Sequence, residues 1–256
     1  MTEDLQAVVD FYDRHPINEA QILAALGRRG KDLRALVPED LYEWDQDHYG
    51  GLAAVDALAR RFGCHVTGLD LNRGRCAAGR RLTALVGLHR RVIMVNGDAQ
   101  SLPFGSGSFT AVLSQEGLLH VPDKGAVLRE CARVLAPGGR IAFSDWIATG
   151  RLEEGEGRRL EQWMAATTLQ NITGYRRLLA RAGFGGIEAE DLSAEWTGIL
   201  RERVRLYRAM REDTVARHGR ARYDDYNRLY EFFVGLVEAG KLGGARFSGR
   251  ACPGIS

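Results

Sequence analysis

The chain has 256 residues, 45% of them apolar, with 35 basic against 33 acidic side chains and a net charge of +2. That suffices for one domain with a sizeable core, and its balanced charge argues against a nucleic-acid-binding surface. The four cysteines (64, 76, 131 and 252) have neither disulfide-framework nor zinc-ligand spacing, and no apolar run is long enough to cross a bilayer.

The first fifteen residues, MTEDLQAVVDFYDRH, are acidic and amphipathic rather than leader-like, so a cytoplasmic protein without a metal centre is expected. Residues 3–62 read as helices with short breaks. Leu5, Val8 and Val9 recur at helical spacing, Asn18 is placed to cap NEAQILAALGRRG, and a polar loop DQDHYGG (45–51) precedes GLAAVDALARR. Alternation then begins. The pattern predicts strand 65–69, helix 73–86, strand 91–95, strand 109–114, helix 123–135, a turn at Pro137-Gly138-Gly139 and strand 140–146. Helices 156–168 and 173–182 and a weaker strand 186–191 follow. Strands alternating with helices imply a doubly wound, mostly parallel α/β sheet. From 197 to 238 the pattern is helical again, with Leu200, Val204, Tyr207 and Met210 on one stripe. Ala245–Ser248 is a candidate final strand. The expected division is an N-terminal helical cap (1–62), a core (63–192) and a C-terminal helical hairpin with a last strand (193–256).

Three places carry chemistry. Asp70 ends the first strand, where ligands of open α/β sheets bind, and its carboxylate can accept from two ribose hydroxyls. The competing role is capping helix 73–86, for which Asn72 is equally suited. Asp98, in NGDAQSLPF, can accept from an adenine amino group while the Ala99 amide meets a ring nitrogen; an Asx turn is the plainer reading. In SQEGLLHVPDK (114–124), Glu116 and His120 lie four apart and would share a face in one helical turn. A carboxylate beside an imidazole fixes its tautomer and raises its basicity, as a general base requires. The plainer reading of His120 is a buried residue with a backbone partner.

GLDL, NGDAQSLPFGSGSFTAVLSQ and LRECARVLAPGGRIAFSDW, in this order, resemble the motifs of class I S-adenosylmethionine-dependent methyltransferases. SQEGLLHVPDK, YGGLAAVDALA and GYRRLLARAGF are similar to segments of the phosphoethanolamine and sarcosine/dimethylglycine N-methyltransferases. The resemblance implies a Rossmann-like fold, S-adenosylmethionine as cofactor and a small-molecule methyl acceptor, an amine. It implies Asp70 and Leu71 at the ribose, Asp98 and Ala99 at adenine, Ser114 and Gln115 near the donor methyl, and Tyr49 with His48 at the cofactor's amino-acid end. His120 corresponds to the base, with Glu116 beside it. One departure stands out. The family's first strand and glycine-rich loop should precede residue 65. A strand, loop and helix need roughly 20 residues, and no such stretch lies between Asp56 and Cys64. The alternative is therefore an impaired or inactive methyltransferase-fold protein, serving at most as a binding module. Losing that central strand leaves strands 65–69 and 109–114 either paired directly or separated by a gap.

Overall fold

The computed structural model describes residues 6–10, 19–37, 39–41, 65–166 and 168–252. Tyr49, His48 and the stretch 56–64, where the glycine loop would belong, lie outside them. Helix α1 (Glu19–Arg28) buries Ile22 and Leu26 against Val86 and Leu36, and its Glu19 pairs with Arg81.

The alternating region folds as its pattern predicts. Strand β1 (Val66–Asp70), helix α2 (Arg73–Leu85) and strand β2 (Val92–Asn96) form a βαβ unit, with β1 and β2 parallel. Asn72, rather than Asp70, caps α2: its side chain accepts from the Arg75 amide at 3.0 Å. Strand β3 (Phe109–Gln115) leads through a 3₁₀ turn, Leu118–His120, into α3 (Lys124–Val134) and β4 (Leu135–Ala148). β3 and β4 are parallel. The Pro137-Gly138-Gly139 turn lies within β4 as a bulge, with Gly138 at φ 76° and a register shift between Phe109 and Ala111.

Helices α4 (Glu154–Met164) and α5 (Ile172–Arg181) follow, then β5 (Phe184–Asp191). The C-terminal helices are α6 (Ser193–Ala209), α7 (Arg211–His218) and α8 (Arg220–Glu238). Strand β6 (Leu242–Ala251) then enters the sheet between β4 and β5, antiparallel to both. The last strand foreseen at 245–248 is thus a long interior one. On one face α3 and α5 cover Phe143, Tyr175 and Phe247, whose ring centroids lie 4.8–5.2 Å apart. On the other, α6 and α8 bury Trp146, Trp196 and Phe233. Full burial of each such side chain contributes about 1.5–3 kcal/mol of hydrophobic free energy.

β1 and β2 form one sheet, and β3, β4, β6 and β5 another. Of the two outcomes foreseen for β1 and β3, separation is the one found: among the described residues neither strand pairs along its second edge. Apolar side chains stand open on both, with Val66 48% and Leu113 42% exposed. In the C-terminal hairpin Leu200 and Val204 are buried as their stripe predicts, but α6 ends before Met210, which is 54% exposed.

Candidate functional site

The carboxyl ends of β1 and β2 are locked together. The Asn96 side-chain amide donates to the carbonyls of Asp70 (3.0 Å) and Leu71 (2.8 Å), and the Gly97 amide donates to Asp70 at 3.1 Å. This fixes Asp70 and the Asp98 turn at one edge of the unit. Asp70 Oδ1 accepts from the Asn72 amide at 2.7 Å, while Oδ2 lies 3.4 Å from Arg75 Nε. Its side chain is partly open, with acceptor capacity left on Oδ2.

Asp98 forms the Asx turn that its sequence also allowed. Its Oδ1 accepts from the Gln100 amide at 2.8 Å, and the Gln100 side chain folds back onto both carboxylate oxygens at 3.2–3.3 Å. Gln100 Oε1 in turn accepts from the Asp123 amide at the start of α3. Glu130 and Arg133 of α3 hold the same loop through the Leu102 amide and the Leu102 and Phe104 carbonyls. Ala99 packs against the core of the larger sheet. The Asp98 loop is therefore strapped to α3, the helix that follows His120.

β3 ends in strain and in unmet polarity. Glu116 adopts φ 49°, a left-handed conformation that side-chain-bearing residues seldom hold without reason. Its amide donates to the Ser144 carbonyl at 2.8 Å. Beside it, Gln115 Nε2 and Ser144 Oγ are buried without a hydrogen-bond partner among the described residues. A buried amide nitrogen with no acceptor costs about 1–3 kcal/mol, which a bound acceptor would recover. Ser114 Oγ lies against the backbone of Gly117, where an added Cβ would approach within 3.2 Å.

The left-handed kink prevents the one-turn helical arrangement expected for Glu116 and His120. His120 instead sits in the 3₁₀ turn, buried, with Nδ1 3.3 Å from the Ala165 carbonyl. A carbonyl only accepts, so the ring nitrogen that faces Ala165 donates to it. The shared helical face expected for Glu116 and His120 is therefore not formed. Ala165, the C-cap of α4, itself adopts φ 50°. Burial pushes the imidazole down to about 4, against the opposing effect of the Ala165 carbonyl.

Three further polar residues surround this turn and were not singled out from sequence. Asp145, in β4, is completely buried; it accepts from the Tyr175 hydroxyl at 2.5 Å and the Leu119 amide at 3.2 Å, and burial pushes its carboxyl up to about 6. Burial also pushes the Lys124 ammonium down to about 8. Two signals were available: an aspartate inside the apolar run IAFSDWIA, and a lysine kept in a chain whose basic residues are otherwise nearly all arginine.

The tyrosines of the C-terminal hairpin pack on one another. Tyr207 stacks on Tyr223 at 5.1 Å and lies near Tyr226 and Tyr230, while Arg211 and Arg222 of the same chain lie over two of these rings. Among the described residues there is no cluster of metal-ligating side chains, and no helix is long and apolar enough to cross a membrane.

A methyltransferase-domain family matches residues 49–143. The chain is 34% identical over 168 residues to the glycine/sarcosine/dimethylglycine N-methyltransferase of Actinopolyspora halophila, covering 66% of this chain and 29% of that protein. It is 32% identical over 191 residues to the methyltransferase GfsG of Streptomyces halstedii, covering 72% and 68%. Its fold matches that of the Haemonchus contortus phosphoethanolamine N-methyltransferase 2, solved with phosphomonomethylethanolamine and S-adenosylhomocysteine. The TM-score is 0.67 at 23% identity, over 91% of this chain and 52% of that one. With this fold, these strand-tip carboxylates and these relatives, the chain belongs to the S-adenosylmethionine-dependent methyltransferases.

Proposed function

We propose that the protein transfers a methyl group from S-adenosylmethionine to the nitrogen of a small amine, with His120 as general base. The observation that carries this reading is the exit of β3, where an orphaned buried amide, a strained Glu116 and a neutral imidazole meet within six residues. The donor set suits the nucleoside half of the cofactor: Asp70 and Leu71 at the ribose, Asp98 and Ala99 at adenine, Ser114 and Gln115 near the sulfonium. Tyr49 is assigned to the amino-acid end from sequence alone. Bound there, the cofactor supplies an electrophilic methyl on a sulfonium.

This chain's own residues supply the rest. His120 carries no charge at neutral pH, because its burial disfavours the imidazolium. On this reading the neutral imidazole takes the proton that the amine must lose. The low basicity means that the imidazole is a weak base, and the proton moves as the amine attacks the methyl. Positioning of the amine against the methyl provides most of the rate gain. The N-methyl acceptors named for the Actinopolyspora relative make sarcosine the first amine to try. The test is methyl transfer to sarcosine and dimethylglycine by the full chain beside His120→Ala. Equal activity of the two proteins removes His120 as the base.

A second reading has its own observation. β1 and β3 lie in separate sheets, and the sequence between Asp56 and Cys64 is too short for the strand and glycine loop whose amides would hold the cofactor's carboxylate end. Losing one or two such charge-assisted bonds weakens binding roughly ten- to a hundredfold each. On this reading the chain keeps the fold and has lost effective turnover, and it acts as a binding module. Calorimetry with millimolar cofactor separates the two, since a silent titration leaves only the second. Restoring a strand and glycine loop before residue 65 should then recover binding.

A further inference from the structure

Three buried side-chain atoms have no hydrogen-bond partner among the described residues: Gln115 Nε2, Ser144 Oγ and Arg246 Nε. They belong to neighbours. Gln115 of β3 is paired with Ser144 of β4, and Ser144 with Arg246 of β6. Paired residues of adjacent strands share a face of the sheet, with about 4.8 Å between strands. Alternation along β4 says which face. Phe143 belongs to the core under α3 and α5 and Trp146 to the core under α6 and α8, so Ser144 shares the face of Trp146. The three orphaned atoms thus form one row across that face.

Buried polar atoms are nearly always paired, and each one left over carries its own desolvation cost. Scattered orphans would be faults of packing, whereas three in consecutive register make a pattern. The row does not close on itself: Ser144 Oγ is able to accept from either flanking group and bonds to neither. Its members run long, short, long, and Ala142, next on the same face of β4, is small too. Two long donors therefore flank a low floor. Ser144 is 3% exposed, while Gln115 and Arg246 are only half-buried, so the row is open toward its two ends. The Ser144 carbonyl accepts from the Glu116 amide at 2.8 Å, which ties the row to the strained exit of β3.

The chemistry of the row selects its ligand. An amide nitrogen and a guanidinium nitrogen only donate, and a hydroxyl is able to. The group that satisfies all three is an acceptor, and the guanidinium favours an anionic one. Its charge is limited, because Arg246 Nη1 already donates to Glu190 Oε2 at 2.8 Å. A guanidinium half-neutralised in this way matches the single charge of a carboxylate better than the double charge of a phosphate.

We propose that Gln115, Ser144 and Arg246 form a subsite for the carboxylate of an amino acid, brought either by the methionine end of the cofactor or by the methyl acceptor. Its nearness to the transferred methyl rests on the reading of Gln115 given above; the row itself does not. A cofactor carboxylate held here would take over the task of the absent glycine loop.

Calorimetry on the full chain tests this with probes that differ at the carboxylate. S-adenosylhomocysteine is compared with its decarboxylated analogue. Sarcosine is compared with N-methylethanolamine, which has a hydroxymethyl group in its place, each with and without S-adenosylhomocysteine. In at least one pair the carboxylate should strengthen binding by about tenfold or more, the worth of one charge-assisted bond. A preference in the first pair names the cofactor as its source, and one in the second names the acceptor. Arg246→Met should abolish that preference and leave the affinity of the carboxylate-free probe unchanged. Ser144→Ala should reduce it, and carries the test if Arg246→Met does not fold. A preference undiminished in a folded variant overturns the proposal, as does its absence from both pairs in the native chain. Failure of methyl transfer beside a preference that depends on Arg246 defeats the proposed activity and leaves the subsite standing. Native transfer to sarcosine by Arg246→Met, with both preferences intact, defeats the subsite alone.

Discussion

The pair His120 and Asp145 makes a prediction about stability that needs no substrate. Folding pushes the imidazole down to about 4 and the carboxyl up to about 6. Between pH 4 and 6 the folded chain therefore keeps Asp145 protonated and His120 neutral. The unfolded chain does the reverse, since an ordinary aspartate has lost its proton and an ordinary histidine has gained one. Each state holds one proton on this pair, so the two slopes cancel. The signs follow from each group alone. Asp145 binds its proton more tightly when folded, so its contribution falls as pH rises through this window. His120 binds its proton less tightly when folded, so its contribution grows. His120→Asn keeps an amide donor for Ala165 and removes one slope. Its stability relative to the native chain should then fall by about 2 kcal/mol from pH 4 to pH 6, since Asp145 is only half titrated at one edge of the window and a full difference is about 1.36 kcal/mol per pH unit. Asp145→Asn should show the mirror image, gaining on the native chain by a similar amount. Urea unfolding at pH 4, 5 and 6, read as variant minus native, isolates these slopes from the other carboxylates. A His120→Asn difference that stays within ~0.5 kcal/mol across the window, smaller than the typical ~1 kcal/mol effect of a substitution, would refute the assignment of buried, oppositely shifted groups.

Other consequences are simpler. Glu116→Gly removes the left-handed strain at φ 49° and should raise stability by about 1 kcal/mol in thermal unfolding; a loss would mean that the side chain itself holds the β3 exit. Gly244→Ala places a Cβ 2.2 Å from the Trp196 ring and should cost about 2–3 kcal/mol, and a variant of native stability would show that α6 can shift at no cost. Asn72→Ala removes the α2 cap and should cost about 1 kcal/mol in denaturant unfolding. Asp70→Ala should weaken cofactor binding roughly ten- to a hundredfold by calorimetry, and unchanged affinity would move the ribose elsewhere.

Much of the fold could be read from sequence, because strands of four to seven apolar residues alternated with helices bounded by caps and glycines. β6 was harder, for a physical reason. Only Ala245–Ser248 was foreseen as strand, and the glycines of LGGARFSGRA gave no signal for the rest of it. Two of them are clearance for α6: a Cβ on Gly243 would lie 2.0 Å from Ser193 Oγ, and one on Gly244 would meet Trp196. Close approach and turning call for the same residue, and a sequence does not distinguish them. Asp70, Asp98 and the β3 exit were legible because strand tips are where ligands gather. The partner of His120 was not, since a four-residue spacing implies a shared face only if the backbone is helical, and Glu116 is left-handed. Ala165 could not have been found, because its contribution is a carbonyl 45 residues away.

The interior place of β6 bears on how the chain acquires its structure. Pairing Asp145 with Ala245 closes a loop of about 100 residues, and three helices intervene between β5 and the strand that joins β5 to β4. Contacts this distant in sequence slow folding. The core around Phe143, Tyr175 and Phe247 cannot close until that strand arrives, and until then the facing edges of β4 and β5 are open to other strands. The turn that carries His120 is tied to β4 through Asp145, so the arrival of β6 also completes the support beneath that turn.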